Sequence, residues 1–316
     1  MNLRGFAIAA AALAGAAAHA ETWPVRPVRV IVNVAAGGGV DTLARLCAQH
    51  YAAVWAQPFV VDNRAGAGGN IGAELVAKAA PDGYTLLVSS ATVVTNAATR
   101  AQAYDPVRDF APVTKLTANP YIIVVTPALP ARTVPELAAL AKARAGGLTF
   151  ASAGTGSILH MGGELLALMT GAPMTHVPYK GVAEAYPAVA SGQVDWMLGS
   201  PISALPLIKA GRLRGIAVTS PQRSRALPDL PAVAESVPGY EVVAWFGMFA
   251  PAHTPREVVA KLNAEAKRAL ATPEVARRME IEGTNVVVNA PPEFALQVKA
   301  EYDKWRGLVA KTGMKF

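Results

Sequence analysis

Two short runs in this sequence could hold an anion with backbone alone. Ala35-Ala36-Gly37-Gly38-Gly39 follows the β-rich stretch 28–34 and leads to Asp41, which opens an amphipathic helix predicted to reach Trp55. Gly154-Thr155-Gly156-Ser157 follows a short strand over 150–152 and leads into a helix that carries His160 and is predicted to continue to about Met169. A glycine loop at a strand's carboxyl end lets the backbone approach a ligand without a Cβ in the way. The helix behind it presents unpaired N–H groups and roughly half a positive charge, which suits a carboxylate or another small anion. The candidate ligand-binding residues are therefore Ala36, Gly37, Gly38, Gly39 and Asp41 in the first run, and Gly154, Thr155, Gly156, Ser157 and His160 in the second. Taken singly, each run also reads as an ordinary tight turn; their recurrence in two parts of the chain points to a site. An anion caught between two lobes would touch both and draw them closed. On this reading Gly38→Val or Gly156→Val abolishes binding through Cβ bulk and disfavoured backbone angles.

The polar side chains of these runs each have two readings. Asp41 can contact a ligand's amino group or cap its own helix. His160 can hydrogen-bond a ligand or pack half-buried where the lobes meet. Ser157 is placed as an N-cap, since no G-x-S-x-G elbow surrounds it; a secreted hydrolase or lyase using Ser157 and His160 is the alternative from another class. Gly66-Ala67-Gly68-Gly69-Asn70-Ile71-Gly72 has Ile71 where a dinucleotide fingerprint needs its third glycine, and there is no P-loop. His160, His176 and His253 lack metal-ligand spacing and no H-E-x-x-H occurs. No cofactor and no metal is expected. Cys47, the single cysteine, falls in the apolar stripe Leu43, Leu46, Cys47, Tyr51 and Val54, the place of a small core residue rather than a nucleophile.

Several elements must position these runs. Strand and helix alternate along the chain, which indicates an α/β fold, and 316 residues exceed what one core comfortably fills, so two lobes are expected. Thr133-Val134-Pro135-Glu136 has capping-box spacing with proline in the first turn. Stripes at Val258, Val259, Leu262, Ala266 and Leu270, and at Phe294, Val298, Tyr302, Trp305 and Val309, read as core-facing helix sides. Residues 228–238 are proline-rich and read as a connection.

The first twenty residues read as a secretory signal peptide: Arg4, an apolar run from Phe6 to Ala17 too short to span a bilayer, and Ala18-His19-Ala20 as a cleavage site after Ala20. A periplasmic protein is expected. The formal charge of +7 is modest enough to steer anions, while the basic residues are scattered and not interleaved with aromatics, which argues against nucleic acid.

One set of motifs, in order along the chain, gives these parts a common source. It comprises the segments 23–29 (Trp-Pro-Val-Arg-Pro-Val-Arg), 36–41 (Ala-Gly-Gly-Gly-Val-Asp), 62–72, 80–87 (Ala-Pro-Asp-Gly-Tyr-Thr-Leu-Leu), 154–157 with His160, 176–181 (His-Val-Pro-Tyr-Lys-Gly), 192–195 (Gly-Gln-Val-Asp), 217–220 with Arg223-Ser224, and 227–231 (Leu-Pro-Asp-Leu-Pro). In these the chain resembles, nearly end to end, the Bug (TctC-like) family, the extracytoplasmic receptors of tripartite tricarboxylate transporters. The resemblance implies a type II periplasmic-binding-protein fold: residues 21–120 and 225–316 as one discontinuous lobe, 121–224 as the other, and a ligand cleft between them. It implies a receptor that captures a small carboxylate or related organic anion and delivers it to membrane permease subunits, or, as an orphan, reports it to a sensor protein. It further implies a monomer that catalyses nothing, and carboxylate capture by the amides of the two glycine loops. Asn70 in the second glycine turn and the loop from Ser90 to Thr92 are implied as further walls; so is 176–181, with Lys180 structural rather than an anion partner. The sequence departs from the family at Asn33-Val34-Ala35-Ala36, at Ala65 and at Tyr186-Pro187. The first two lie in the implied ligand walls.

Overall fold

Runs of β-branched and large apolar residues build the sheets. In the computed structural model, which describes residues 23–313 apart from 180, 225, 226, 274, 276 and 278–283, β1 (Val28–Val32), β2 (Phe59–Asn63) and β3 (Thr85–Ser90) pair in parallel. The helices α1 (Gly39–Trp55), α2 (Asn70–Ala77) and α3 (Thr92–Thr99) follow them. The expected signal peptide with its cleavage site, and Lys180, lie outside the described residues.

The long strand β4 (Phe110–Pro120) then leads through Tyr121 alone into β5 (Ile122–Val125). The middle of the chain repeats the alternation: α4 (Val134–Ala143), β6 (Leu148–Ser152), α5 (Ile158–Thr170), β7 (Met174–Pro178), α6 (Val182–Ala190), β8 (Trp196–Gly199), α7 (Pro201–Lys209) and β9 (Arg214–Val218). Then β10 (Val243–Pro251), α8 (Arg256–Leu270) and α9 (Pro291–Thr312) return to the first sheet. Among the described residues the strands form two five-stranded sheets, ordered β2-β1-β3-β10-β4 and β7-β6-β8-β5-β9. Position for position the orders match, with β10 and β5 antiparallel to their neighbours. This is the type II periplasmic-binding-protein architecture, two α/β lobes.

Each sheet is covered on both faces, and the period-two alternation of a strand decides which residue goes where. In the first lobe Val30, Val32, Leu86 and Val88 face α1 and α8, with Leu43, Cys47, Tyr51 and Leu262. The intervening Ile31 and Leu87 face Val93, Phe249 and Phe294 on the other side. In the second lobe Ile123, Val125, Phe150 and Trp196 pack beneath α4 and α5, and Ile122, Val124, Ala151 and Met197 beneath α6 and α7. Cys47 is fully buried, and burial pushes its thiol up to about 12, so it stays protonated and inert.

The expected lobe boundary at 224/225 moves. Val233, Val237, Tyr240 and Val242 belong to the second lobe's core, where the Tyr240 hydroxyl donates to the Gly162 carbonyl at 3.0 Å. The proline-rich stretch is thus a wrap around the second lobe, and the chain re-enters the first only at Val243. Nor does α9 serve one lobe: Phe294 and Val298 pack in the first, Trp305 and Leu308 in the second. Its apolar stripe is continuous, but its neighbours change half-way along, and the sequence pattern carries no sign of that.

Candidate functional site

Strand direction places each glycine loop at the carboxyl edge of its sheet. Because β1, β2 and β3 are parallel, their carboxyl ends share one edge of the first sheet; β6, β7 and β8 share an edge of the second. β10 runs antiparallel to β3 and to β4, so β4 ends and β10 begins at that same first edge. In the second sheet Ile122, at the start of β5, pairs with Gly199 at the end of β8 and with Val218 at the end of β9. Both crossings, 120–122 and 218–243, therefore join carboxyl edge to carboxyl edge. The loops after β1 and β6 leave the carboxyl edges that these crossings join, the kind of edge at which open α/β sheets bind ligands.

Thr219 knits the crossings together. Its Oγ1 accepts from the Tyr121 N–H at 2.7 Å and donates to the Val242 carbonyl at 2.5 Å, and its own N–H donates to the Tyr121 carbonyl at 2.9 Å. A hollow of about 340 Å³ beside the crossings is lined by Lys115, Glu241, Trp245, Glu301 and Lys304 and by none of the loop residues.

The first loop is shaped by the residue that opens the helix behind it. Asp41 is the third residue of α1 and reaches back, its Oδ2 accepting from the Gly37 N–H at 2.9 Å and from Arg45 Nε at 3.0 Å. Its Oδ1 accepts from Asn63 Nδ2 at 3.0 Å, and that amide also donates to the Val34 carbonyl at 3.2 Å. The Arg45 bond above all, then the Gly37 and Asn63 bonds, hold the carboxyl down at about 2 against the opposing effect of burial. Asp41 is therefore charged at any working pH. With its side chain 5% exposed and three donors on it, this carboxylate clamps the loop. Gly37 has φ +90°, where side chains are strained. Gly38 does not: its φ is −82° and a Cβ there would meet nothing within 4 Å. The backbone restriction expected at Gly38 belongs to Gly37, and a side chain at Gly38 can act only by filling the cleft. Gly39 lies against the Phe246 ring, which a Cβ would approach to 2.9 Å.

The second loop is built on the same plan with different chemistry. Ser157 is the N-cap of α5: its Oγ accepts from the His160 N–H at 3.3 Å and donates to the Gly154 carbonyl at 2.7 Å. The third helical residue, His160, reaches back with ring Nδ1 to accept the Gly156 N–H at 3.1 Å. Gly37–Asp41 and Gly156–His160 are equivalent clamps, four residues apart in each loop, with the N-caps Gly38 and Ser157 between. Gly154 and Gly156 have φ of +117° and +81°, so both must be glycine. His160 is buried and not half-buried, and it stacks on His176 with ring centroids 3.8 Å apart.

What remains on each loop is a set of donors. Among the described residues, no acceptor meets the N–H groups of Gly38, Gly39 and Val40 in the first loop, nor those of Thr155, Ile158 and Leu159 in the second. Helix starts leave such groups open by construction.

The other expected walls differ in character. Ser90 and Thr92 sit on the first edge with their hydroxyl oxygens 2.8 Å apart, and Ala91 between them donates its N–H to the Trp245 carbonyl at 3.1 Å. The Asn70 carbonyl oxygen is turned into the lobe, accepting from Asn96 Nδ2 and from the Tyr104 hydroxyl, both at 3.1 Å; it fastens the glycine turn to α3. The sequence reading missed Asn63, Arg45 and Ser152. Arg45 had a signal in its i,i+4 spacing from Asp41 on one helix, whereas Asn63 had none, since it meets Asp41 only when β2 lies beside β1.

The geometry of a hydrolase is absent from the pair that suggested one. His160 Nδ1 is occupied by the Gly156 N–H, and the Ser157 hydroxyl points to the Gly154 carbonyl. Ser152 Oγ and His176 Nε2 are 2.6 Å apart, the spacing of a nucleophile and its base, but Ser152 is fully buried.

Comparison with known proteins gives one consistent result. The family described as the tripartite tricarboxylate transporter family receptor matches residues 43–314. A Rhodopseudomonas palustris protein solved with adipate is 36% identical, with 93% of this chain and 99% of that one covered and a TM-score of 0.72. MatC of the same organism, solved with bound malate, is also 36% identical, covering 90% and 99% at a TM-score of 0.69. A solute-binding protein from Polaromonas solved without ligand is 26% identical, covering 92% and 100%, yet superposes at a TM-score of 0.85.

Proposed function

The chain belongs to the tripartite tricarboxylate transporter receptor family and is a solute-binding receptor for small carboxylates, and from that premise we propose that its cargo is a short aliphatic dicarboxylate, held at one carboxylate by the amides of residues 38–40 and 155–159 across the cleft. The observation that carries this is the pair of clamped loops on facing edges, each leaving helix-start N–H groups without an acceptor. Fixed N–H donors and two helix N-termini complement a carboxylate without any side-chain cation. The described cations nearest the first loop are committed elsewhere: Arg45 to Asp41, and Arg64 to Asp62.

Capture proceeds by lobe closure. Sequence divergence lowers structural similarity, yet the chain superposes better on the ligand-free Polaromonas protein than on the adipate-bound one, despite lower identity. That ordering supports a wide cleft that narrows when an anion bridges both loops. Thr219 and the single residue between β4 and β5 supply the short crossings about which such a closure turns. The protein works in the periplasm as a monomer, after cleavage behind Ala20, and hands its cargo to membrane permease subunits. It binds and does not turn over.

Purified mature protein tests this by thermal shift and calorimetry against adipate, malate, their monocarboxylate counterparts and tricarboxylates. Adipate or malate is expected to raise the melting temperature, by the equivalent of about 2.7 kcal/mol at a hundredfold excess over Kd. No shift with any carboxylate from two to eight carbons would overturn the reading.

A further inference from the structure

His176 was implied only as part of a wall, yet its ring lies beneath the second loop and touches the parts that shape it. It is on β7 beside Phe150 of β6, which in turn sits beside Trp196 of β8. The His176 and Phe150 ring centroids are 5.1 Å apart, and His160 from α5 closes the stack above. At the loop's entry His176 Nε2 meets Ser152 Oγ at 2.6 Å, and Ser152 Oγ accepts the Gly154 N–H at 3.1 Å. At its exit His160 Nδ1 accepts the Gly156 N–H. Both ends of the loop are thus tied to one pair of stacked imidazoles.

We propose that His160 and His176 are positioning residues that hold the second loop in its binding shape while both are uncharged, so that protonation of the pair loosens the loop and weakens cargo binding. The step is a single proton transfer from solvent. The Nδ1 lone pair of His160 that now accepts the Gly156 N–H takes the proton instead, leaving two donors facing each other. Two rings 3.8 Å apart do not both carry charge at low cost. The titratable groups that face His176 are His160 and Glu164, whose carboxylate is 3.6 Å from His160 Nε2. From β6 and β8 come only the uncharged Ser152, Phe150 and Trp196. Burial first, then the neighbouring His160, push His176 down to about 4, with Glu164 opposing. It is His160 that carries the bond from the Gly156 N–H, so a proton on its Nδ1 is what would break the exit of the loop. The first loop has no such sensitivity, because its equivalent clamp is a carboxylate that stays charged.

This rests on the proposed role of the second loop in binding, so the experiment has one arm that needs no ligand. In nitrogen-15 spectra of the mature protein, His160 should show an unprotonated Nδ1 at neutral pH. The Gly154 and Gly156 amide resonances should move with the histidine titration as the pH falls from about 8 to about 5. In the second arm, adipate affinity of the wild type should weaken on the order of tenfold between about pH 7.5 and about pH 5. His160→Asn, which keeps an uncharged acceptor for the Gly156 N–H, should stay within about twofold of any change due to the ligand's own titration, which acts equally on both proteins. His176→Gln should raise the midpoint of the His160 titration by removing the stacked neighbour. Amides at 154 and 156 that ignore the histidine titration would overturn the proposal, and so would equal pH dependence in wild type and His160→Asn. Absence of adipate binding at neutral pH would count against the cargo assigned above, leaving the spectroscopic arm to decide this one.

Discussion

Replacing Asp41 tests the plan of the first loop. Asp41→Ala removes three hydrogen bonds at once, from Gly37, Arg45 and Asn63. A hydrogen bond to a charged group contributes about 1.5–3 kcal/mol, but Gly37 is exposed and the Arg45 side chain is 53% exposed, so both donors regain water in the variant. Only the Asn63 amide is left poorly hydrated. The loss of an acid in the first turn of α1 adds a further ~0.5 kcal/mol. The sum is about 2–3 kcal/mol, read as a shift in the urea midpoint at constant slope. Asp41→Asn keeps one acceptor and should lose about half of that. The linkage gives an independent check. The folded carboxyl sits at about 2 against 3.8 in the unfolded chain, so its contribution is complete above pH 4 or so and disappears as the pH falls through the folded value. At about 1.4 kcal/mol per pH unit this amounts to no more than about 2.5 kcal/mol, reduced by screening of the half-exposed Arg45. The pH dependence of stability below pH 4 should therefore flatten in Asp41→Ala. Dicarboxylate affinity should fall more than about tenfold in the same variant, because the Gly38–Val40 amides lose their orientation. Wild-type affinity in Asp41→Ala would refute the reasoning even if stability fell as calculated, since the clamp would then be holding the fold and not the ligand.

Gly156→Ala should cost about 1–2 kcal/mol from its left-handed backbone and abolish binding in calorimetry, whereas Gly38→Ala should leave the urea midpoint unchanged and weaken binding only by bulk. Thr219→Val removes the buried hydroxyl between the crossings; a loss of about 1–3 kcal/mol is expected, with a ligand-dependent change in radius of gyration, by X-ray scattering, that differs from wild type. His176 is held at about 4 against 6.5 in the unfolded chain, so its neutral form favours folding. The melting temperature should be insensitive to this residue above about pH 6.5, fall as the pH drops toward 4, and level off below. His176→Phe should flatten that decline.

How much of this was legible in the sequence depended on whether the signal was local. β1 and β6, the glycine loops and the start of α4 were readable because strand alternation, positive-φ glycines and a Thr133 cap are properties of short segments. β4 was not predicted: Pro112 and Pro120 lie inside it, and two register shifts against β10 break its alternation. α6 and α7 were hidden by Pro187 and Pro206, each inside a helix of nine residues. The loops themselves were found, but not the clamps. A glycine four residues before Asp41 or His160 is common in any sequence, and the bond forms only because the helix start turns the third side chain back over the loop. Partners such as Asn63 and His176 come from a neighbouring strand, so their roles exist only once register is set.

The near-identity of the two clamps constrains how the receptor can discriminate. Two copies of one strand–loop–helix unit oppose each other, and in both the amides that remain unpaired are backbone groups, blind to anything about the ligand beyond its charge and carboxylate shape. On the proposed reading, one difference between the copies lies at the clamps, with a charged Asp41 on one wall and the imidazole of His160 on the other. A symmetric pair of carboxylate clamps would hold both walls fixed over the whole pH range. Substituting an imidazole on one side keeps the first loop permanently formed and makes completion of the second conditional. If closure is the step that commits the cargo, the conditional wall is the one that sets when commitment occurs. The order in which the walls engage then follows: the anion should meet the first loop while the cleft is wide, and the second as it narrows. Mutation of Gly156 should accordingly raise the dissociation rate far more than it lowers the association rate, whereas mutation of Gly37 should slow association itself. Equal effects on both rates from both loops, in stopped-flow measurements, would show that the walls engage together and that the asymmetry of the clamps has no part in capture.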